Sequence, residues 1–172
     1  MLSRFLVETL KQNELGDFFS KKYIPSFDFP PYCKQVFDNT YELAFDNSDA
    51  SATIVVHACY DQISEQYCAI MFIGTTTAID DRASIAIEYI FIEPAYRKQI
   101  FTELNDMKLS EFLLLDYALV QIGLSVKEKI GINFISLVPI NEKVRVIYED
   151  MGFTIIKNSG TNQDEDWMIF NI

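Results

Sequence analysis

A single histidine limits the chemistry that this chain of 172 residues can perform. A Ser-His-Asp or Cys-His catalytic system would have to run through His57, and a histidine-rich metal site is excluded. Because His57 lies inside an apolar strand sequence, a hydrogen-bonded structural histidine is the favoured interpretation. Cys33, Cys59 and Cys68 show no metal-site spacing, and the two that fall in strands are interpreted as small core residues.

One carboxylate is unusual because of its neighbours. Glu88 lies between Ile87 and Tyr89, in the middle of a predicted strand. Burial there would raise the pKa of Glu88 toward neutrality and would suit a general base. The alternative is that Glu88 faces solvent on a strand with one wet face. Both interpretations stay open.

The elements that must position these residues follow from the hydrophobic period and from the turn residues. In chain order the prediction is a helix over 2–21 (or two meeting at Gly16), an extended segment over 23–32, meander strands at 53–60, 67–75 and 84–93, a helix from Ser110 to Gly131, a strand at 132–138, a helix from Asn141 to Gly152, and strands at 153–157 and 167–172 around a polar turn at 158–166. The strand-helix-strand crossover makes part of the sheet parallel. The fold class is therefore α+β with a mixed, mostly antiparallel central sheet flanked by helices, in one domain over 1–172.

The charge of the chain restricts its partners. Lys and Arg number 14 against 25 Asp and Glu, giving a net charge of −11. This balance predicts no nucleic-acid partner and no membrane partner, because both need a basic surface. The longest apolar run, 112–120, is broken by Asp116 and is too short to cross a bilayer. With no basic-then-apolar leader visible, the expected location is cytoplasmic.

Two segments resemble a known family. The run SLVPINEKVRVIYEDMGFTII at 136–156 carries Asn141 and then Tyr148-Glu-x-x-Gly-Phe. The run IEYIFIEPAYRK at 87–98 has a strand that enters a Pro-x-Tyr-Arg turn. Together they resemble the GNAT superfamily, the Gcn5-related N-acetyltransferases, over roughly 84–172. The resemblance implies a GNAT-like fold, with residues 1–83 on the acceptor side and residues 84–172 on the acyl-CoA side.

The resemblance also implies an activity. The protein is expected to be an N-acyltransferase that moves an acetyl group from acetyl-CoA to a primary amine by direct attack in a ternary complex. Tyr148 would protonate the leaving thiolate, and Glu88, or a water that it holds, would accept the amine proton. The backbone of Ile90, Phe91 and Ile92 would bind pantetheine, with an N–H near Phe91 facing the thioester oxygen. Core packing is the alternative role for Tyr148.

The family's phosphate-binding signature is altered in this chain. It has Arg or Gln, two residues, a glycine, one residue, and glycine or alanine, whereas the sequence from Arg97 reads RKQIFT. Ile100 and Thr102 stand where small residues let backbone N–H groups approach a pyrophosphate. The expected cofactor contacts are Arg97, Lys98, Gln99, Ile100, Phe101, Thr102 and Asn141. A loop rebuilt over 102–108, with a later helix start, is the alternative, and Asn141 is equally explained as a helix N-cap.

The acceptor is expected to be a small cationic molecule or a peptide, because residues 35–81 contain eight acids and no Lys or Arg. The aromatic residues Tyr23, Phe27, Phe29 and Tyr32 would line the acceptor cleft or pack as a hydrophobic strap. The altered signature leaves a second hypothesis, a catalytically altered GNAT-fold binding or regulatory module with weak or lost CoA use. A tRNA-modifying toxin of this fold is a third, and the net charge argues against it. A homodimer paired through the terminal strand 167–172 is also expected.

Overall fold

The computed structural model describes residues 3–27, 31–46, 54–79, 82–156 and 166–172. In chain order the elements are β1 (Phe5–Leu10), α1 (the continuous helical turns Gln12–Glu14, Leu15–Asp17 and Phe18–Lys22), α2 (Pro31–Phe45), β2 (Val55–Asp61), β3 (Gln66–Ile79), β4 (Arg82–Ile92), β5 (Ile100–Phe101), β6 (Met107–Lys108), α3 (Leu109–Glu111, Phe112–Gly123 and Leu124–Ile130), β7 (Phe134–Leu137), α4 (Glu142–Asp150), β8 (Thr154–Ile156) and β9 (Trp167–Asn171).

Seven strands form one mixed sheet in the order β1-β2-β3-β4-β7-β9-β8, and β5 and β6 form a separate two-stranded sheet. The β1–β2, β2–β3, β7–β9 and β8–β9 pairs are antiparallel. The β4–β7 pair is parallel, with Ile85 opposite Ile135 and Ile87 opposite Leu137. The predicted α+β class with a mixed, mostly antiparallel sheet flanked by helices is therefore confirmed.

The chain divides into two compact units. The first consists of Met1–Gly74 and Glu88–Ser110. Its core is built mainly from aromatic rings on α1, α2, β3 and β4. The ring of Phe37 meets Phe72 and Tyr89 edge-on, with centroids 5.8 Å apart in each pair. Burying such large rings supplies much of the hydrophobic stabilisation of this unit.

The second unit consists of Thr75–Ile87 and Glu111–Ile172. Ile79, Phe134 and Trp167 form a buried cluster in it. The hydroxyls of Ser84 and Ser136 lie 2.8 Å apart on the paired strands β4 and β7, and both residues are fully buried. Each hydroxyl thus satisfies the other inside the sheet.

The predicted N-terminal helix over 2–21 is wrong in its first half. Residues 5–10 form an edge strand that pairs with β2 from Phe5–Asp61 to Leu10–Val56, and helical turns begin only at Gln12. Only the two ends of β1, Phe5 and Leu10, are buried, so the strand lacks the alternation typical of a half-buried strand. Its hydrogen bonds to β2 override the helical spacing of its apolar residues.

The segment predicted to be extended over 23–32 ends in a helix that the sequence interpretation missed. Helix α2 begins at Pro31 and runs to Phe45. Proline favours the first turn of a helix, because its missing N–H has no intrahelical acceptor there and its φ is already helical. Proline is therefore compatible with a helix start here, and it did not justify the prediction of an extended chain up to residue 32.

The expected dimer strand at the C-terminus is wrong. Strand β9 lies between β7 and β8, so the terminal strand is not an exposed edge that could pair across a dimer. Helix α3 spans Leu109–Ile130, and by length and mean hydropathy (1.5) it could cross a membrane despite Asp116. Length and composition are weak evidence, since the core helix of a folded domain passes the same test. Of the predicted turn at 158–166, residues 158–165 lie outside the described residues.

Candidate functional site

Tyr148 lies on the buried face of α4. It is 9% exposed, and its ring packs against Phe153 with centroids 5.9 Å apart. Burial raises the pKa of Tyr148 to about 12, so the phenol stays protonated throughout the neutral range. Among the described residues, no hydrogen-bond partner of its hydroxyl is found. Tyr148 is therefore a packed side chain whose phenol keeps its proton.

The ends of α4 account for the residues that flank Tyr148. The Asn141 side chain accepts a hydrogen bond from the Val144 N–H at 3.0 Å, which makes it a helix N-cap. Gly152 follows the helix with a φ of +97°, a conformation that side chains rarely adopt. The Phe153 N–H then returns to the Tyr148 carbonyl at 3.0 Å. The cap and the turn together fix the position of Tyr148 in the second unit.

Glu88 is exposed on β4, between the buried residues Ile87 and Tyr89. The solvent-facing alternative is thus the one observed, and the burial on which the expected pKa rise depended is absent. Further along β4, Phe91 is buried and its ring lies 5.0 Å from that of Phe27. Phe27 is thus a partly buried residue packed against the core of the first unit.

The segment after β4 does not form a helix at the signature position. The Arg97 Nε donates to the Ile92 carbonyl at 2.7 Å, and its guanidinium lies 5.3 Å from the Phe91 ring centroid. The residues expected to contact the cofactor next then enter a small hairpin, in which Ile100 pairs with Lys108. Lys98, Gln99, Ile100 and Thr102 are exposed, whereas Phe101 is buried.

The turn of this hairpin contains Asn105 and Asp106, whose φ angles are +55° and +61°. Left-handed backbone at two successive non-glycine residues is uncommon and is tolerated best by Asn and Asp. Helix α3 begins at Leu109, directly after the hairpin. The later helix start that the sequence alternative required is therefore observed.

A buried carboxylate holds this segment, and the sequence interpretation missed it. Asp61, the last residue of β2, is fully buried. Its oxygens accept from the Arg4 Nε at 3.0 Å and Nη2 at 2.9 Å, from the Ile63 N–H at 3.0 Å, and from the hydroxyls of Ser64 at 2.9 Å and Tyr96 at 3.0 Å. Burial alone would raise the pKa of Asp61, but these bonds, led by that from Arg4, hold it well below its usual range.

Arg4 extends the same network to the hairpin. Its Nη1 donates to Glu103 at 3.2 Å, and its guanidinium lies 5.0 Å from the Phe101 ring centroid. The signal in the sequence was an acid at a strand end with a serine three residues later, which is typical of a turn closed by the acid's side chain. The Arg4 partner could not be read from the sequence because it is 57 positions away.

The first unit contains a pocket of about 350 Å³ beside the end of β4. Its side chains are mainly phenolic and acidic, including Tyr23, Tyr60, Tyr67, Glu65 and Glu93, and Lys22 also lines it. The Glu93 Oε1 accepts from the Tyr23 hydroxyl at 2.5 Å and from the Ser26 N–H at 3.1 Å. Carboxylates and aromatic rings together suit a protonated amine. Of the aromatic residues predicted to line an acceptor cleft, Tyr23 lines this pocket, whereas Phe29 and the Tyr32 side chain lie outside the described residues.

The histidine and the two strand cysteines considered as chemical groups are buried core residues. His57 is buried, its Nδ1 lies 3.3 Å from the Thr9 hydroxyl, and burial lowers its pKa to about 4. Cys59 and Cys68 are buried free thiols. Within the ranges that the structure describes, no group of three or more His, Cys, Asp and Glu side chains could hold a metal ion.

Comparison with solved structures covers nearly the whole chain. It is similar to AtaTR bound with acetyl-CoA, with a TM-score of 0.66 and 14% identity over 99% of this chain and 94% of the other. It is similar to AtaT complexed with acetyl-methionyl-tRNAfMet, with a TM-score of 0.64 and 14% identity over 97% and 94%. It is also similar to the KacTA–DNA complex, with a TM-score of 0.61 and 15% identity over 97% and 92%. No family model and no curated protein matches the sequence.

These structures contradict the expected partners. The neighbours include complexes with tRNA, with DNA and with the antitoxin AtaR. The expectation of no nucleic acid, with a small molecule or peptide as acceptor, is therefore wrong. The net charge was not sufficient to exclude nucleic acid as a partner, because a single sum says nothing about where the 14 basic side chains lie on the surface.

Proposed function

This chain has the fold of the Gcn5-related N-acetyltransferases, and from that premise we propose that it transfers an acetyl group from acetyl-CoA to an amine. One observation carries the proposal: the fold matches over 99% of the chain to a structure that holds acetyl-CoA. The Tyr148-Glu-x-x-Gly-Phe segment supports it independently, because in this chain it forms the helix end that the family pattern requires.

The cofactor would bind along the end of β4 and the segment that follows. The last β4–β7 pair is Ile87 with Leu137, whereas β4 continues to Ile92. We assign the pantetheine arm to the backbone of Ile90, Phe91 and Ile92, as the family resemblance implies.

The phosphates would be held by Arg97, Lys98 and the segment up to the start of α3. Because the hairpin occupies the signature position, the backbone N–H groups at the first turn of α3 replace those of the missing glycine loop in this proposal. Gln99, Ile100, Phe101 and Thr102 then serve as the support of that loop, and Asn141 contributes through its amide.

The chemical step needs one proton removed and one returned. The amine nitrogen attacks the thioester carbon, the carbon–sulfur bond breaks, and the Tyr148 phenol gives its proton to the departing thiolate. With a pKa of about 12, the phenol is a weak acid, and it gives up its proton only as negative charge develops on the departing sulfur. Glu88, being exposed, would accept the amine proton through a water molecule.

The acceptor that the comparisons favour is an amine on aminoacyl-tRNA. The support is the similarity to AtaT complexed with acetyl-methionyl-tRNAfMet. In the first unit, Glu93 and Tyr23 supply the chemistry that receives an ammonium group. The net charge of −11 requires that the tRNA contacts be local clusters of basic side chains.

A second candidate function is a binding or regulatory module that has lost catalysis. The observation that favours it is the β5–β6 hairpin at the position of the phosphate signature, with an exposed Ile100 in place of a glycine. Such a module would bind acetyl-CoA weakly or not at all, and would turn none over.

Two measurements test these functions together. Calorimetry with acetyl-CoA and free CoA is expected to show binding, and labelled acetyl-CoA is expected to acetylate one or more members of a panel of aminoacyl-tRNAs. Uncharged tRNA is the control, because it lacks the amine. Binding without transfer to any amine, or absence of binding at millimolar acetyl-CoA, would overturn the transferase and favour the module, whereas turnover of acetyl-CoA with any amine would overturn the module.

A further inference from the structure

We infer that Asp61 is a positioning residue that, through Arg4 and Tyr96, holds residues 94–108 in place for the phosphates of acetyl-CoA. The inference rests on the proposed function for its ligand, but its contacts are independent of that function. All of them lie within the first compact unit.

The carboxylate of Asp61 is held firmly in place. Asp61 is fully buried and accepts hydrogen bonds from two nitrogens of Arg4, which form a bidentate pair. The Ile63 N–H and the Ser64 hydroxyl fix the same carboxylate to the β2–β3 turn. Because donors surround this carboxylate on several sides, it has one low-energy position. Other groups that donate hydrogen bonds to it are therefore held in defined positions as well.

At the beginning of residues 94–108, Asp61 holds the hydroxyl of Tyr96. The Tyr96 hydroxyl donates to Asp61 at 3.0 Å, lies 2.7 Å from the Ser64 hydroxyl and accepts from the Gln66 Nε2 at 3.0 Å. Tyr96 belongs to the helical turn Pro94–Tyr96, which directly follows β4. The network therefore fixes the chain direction just before Arg97 and Lys98.

Further along residues 94–108, Arg4 holds the β5–β6 hairpin. Arg4 donates to Glu103, and its guanidinium lies over the ring of Phe101, which is itself stacked on Tyr96 with centroids 6.1 Å apart. The β5–β6 hairpin has only two residues in each strand, too few to be stable alone. Its position thus depends on these contacts.

A hydrophobic cluster would stabilise the unit as well as an ion pair does, because burying charges costs desolvation. What the charged network adds is direction: each bond defines an angle and a distance. Loss of one bond is therefore expected to loosen residues 94–108 and to weaken acetyl-CoA binding, while the transfer step of the bound complex is retained.

The test compares Tyr96→Phe, which removes one hydroxyl from the network, with Tyr41→Phe as a matched control. Tyr41 is a half-buried tyrosine of α2 in the same unit, and its ring packs against Phe19, Phe37 and Phe45. Asp61→Asn, which keeps the shape and removes the charge, is the second variant. Each protein is examined by amide hydrogen exchange, by calorimetry with free CoA, and by kcat and KM for acetyl-CoA.

For Tyr96→Phe, and more strongly for Asp61→Asn, we expect amide exchange to accelerate about 10-fold within 94–108, as befits one lost bond to a charged group. Asp61→Asn should also accelerate exchange at Ile63, whose N–H donates to Asp61, and the rest of the chain should stay unchanged in both variants. The Kd for CoA and the KM for acetyl-CoA should rise by a similar factor, with kcat changed by less than about 2-fold, and Tyr41→Phe should match the wild type. Exchange that is unchanged in 94–108, or accelerated equally over the whole chain, overturns the inference. A wild-type protein that binds no CoA overturns the proposed function instead, while the exchange result still decides whether Asp61 positions the segment.

Discussion

The guanidinium of Arg4 and the carboxylate of Asp61 form a two-pronged ion pair across the β1–β2 edge of the sheet, with bonds of 3.0 and 2.9 Å. Arg4 is about one-fifth exposed and Asp61 is fully buried. Removing the arginine would leave an uncompensated charge in the interior, which costs far more than the loss of a surface pair.

The first prediction follows from that asymmetry. Arg4→Met should lower the free energy of unfolding by about 3 to 5 kcal/mol, because Asp61 loses its main donor. The control is Lys21→Met, which breaks the exposed Lys21–Asp17 pair and should cost less than about 1 kcal/mol. Urea unfolding at neutral pH measures both. Equal losses in the two variants would contradict the role assigned to burial.

The second prediction concerns His57 and acid. The pKa of His57 is about 4 in the folded protein against 6.5 for a free imidazole, so below pH 6.5 the unfolded chain takes up a proton that the folded chain does not. Stability should therefore fall as the pH drops from 6.5 to 4, by up to about 3 kcal/mol. Urea unfolding across this range checks it. His57→Gln should show a flatter profile there, and an equally steep one would assign the loss to other groups.

The third prediction tests Tyr148. Tyr148→Phe should lower kcat by about 10²- to 10⁴-fold, the usual contribution of a positioned proton donor, with the Kd for CoA unchanged. The ring remains to pack on Phe153, so the melting temperature should stay near that of the wild type. Unchanged turnover would leave Tyr148 with core packing alone. Phe153→Leu is a useful comparison, because it disturbs the packing and keeps the phenol.

The fourth prediction compares two glycines of the second unit that end helices. Gly152 has a φ of +97°, and a Cβ there would lie 3.0 Å from a ring carbon of Phe170. Gly131 has a φ of +76° with open space around it. Gly131→Ala should cost about 1 to 2 kcal/mol of conformational strain. Gly152→Ala should cost more, since Phe170 must also move, and thermal unfolding should rank the two in that order.

Local rules account for what could be predicted. The strands of the meander, helix α3 with its end at Gly131, and the Asn141 cap of α4 are each specified by residues within a few positions of one another. For the same reason the family resemblance was visible in two short segments, each of which forms a continuous piece of chain in the structure.

The predictions that were wrong concern residues whose structure depends on contacts with residues distant in sequence. Residues 5–10 become a strand because β2 offers hydrogen bonds, and the terminal strand becomes internal because β8 pairs outside it. For Glu88 the apolar neighbours left burial and solvent exposure open, and the structure shows the exposed alternative. Exposure depends on which elements cover each face of a strand, and neighbouring residue types do not report it.

The sequence by itself determined the secondary structure of the C-terminal half and the likeness of its Asn141 to Phe153 segment to an acetyltransferase, because these features are local. Only the tertiary structure decided that Asp61, Arg4 and Tyr96 meet. These three residues lie at positions 4, 61 and 96, and a buried charge finds its partners only when the whole unit closes around it.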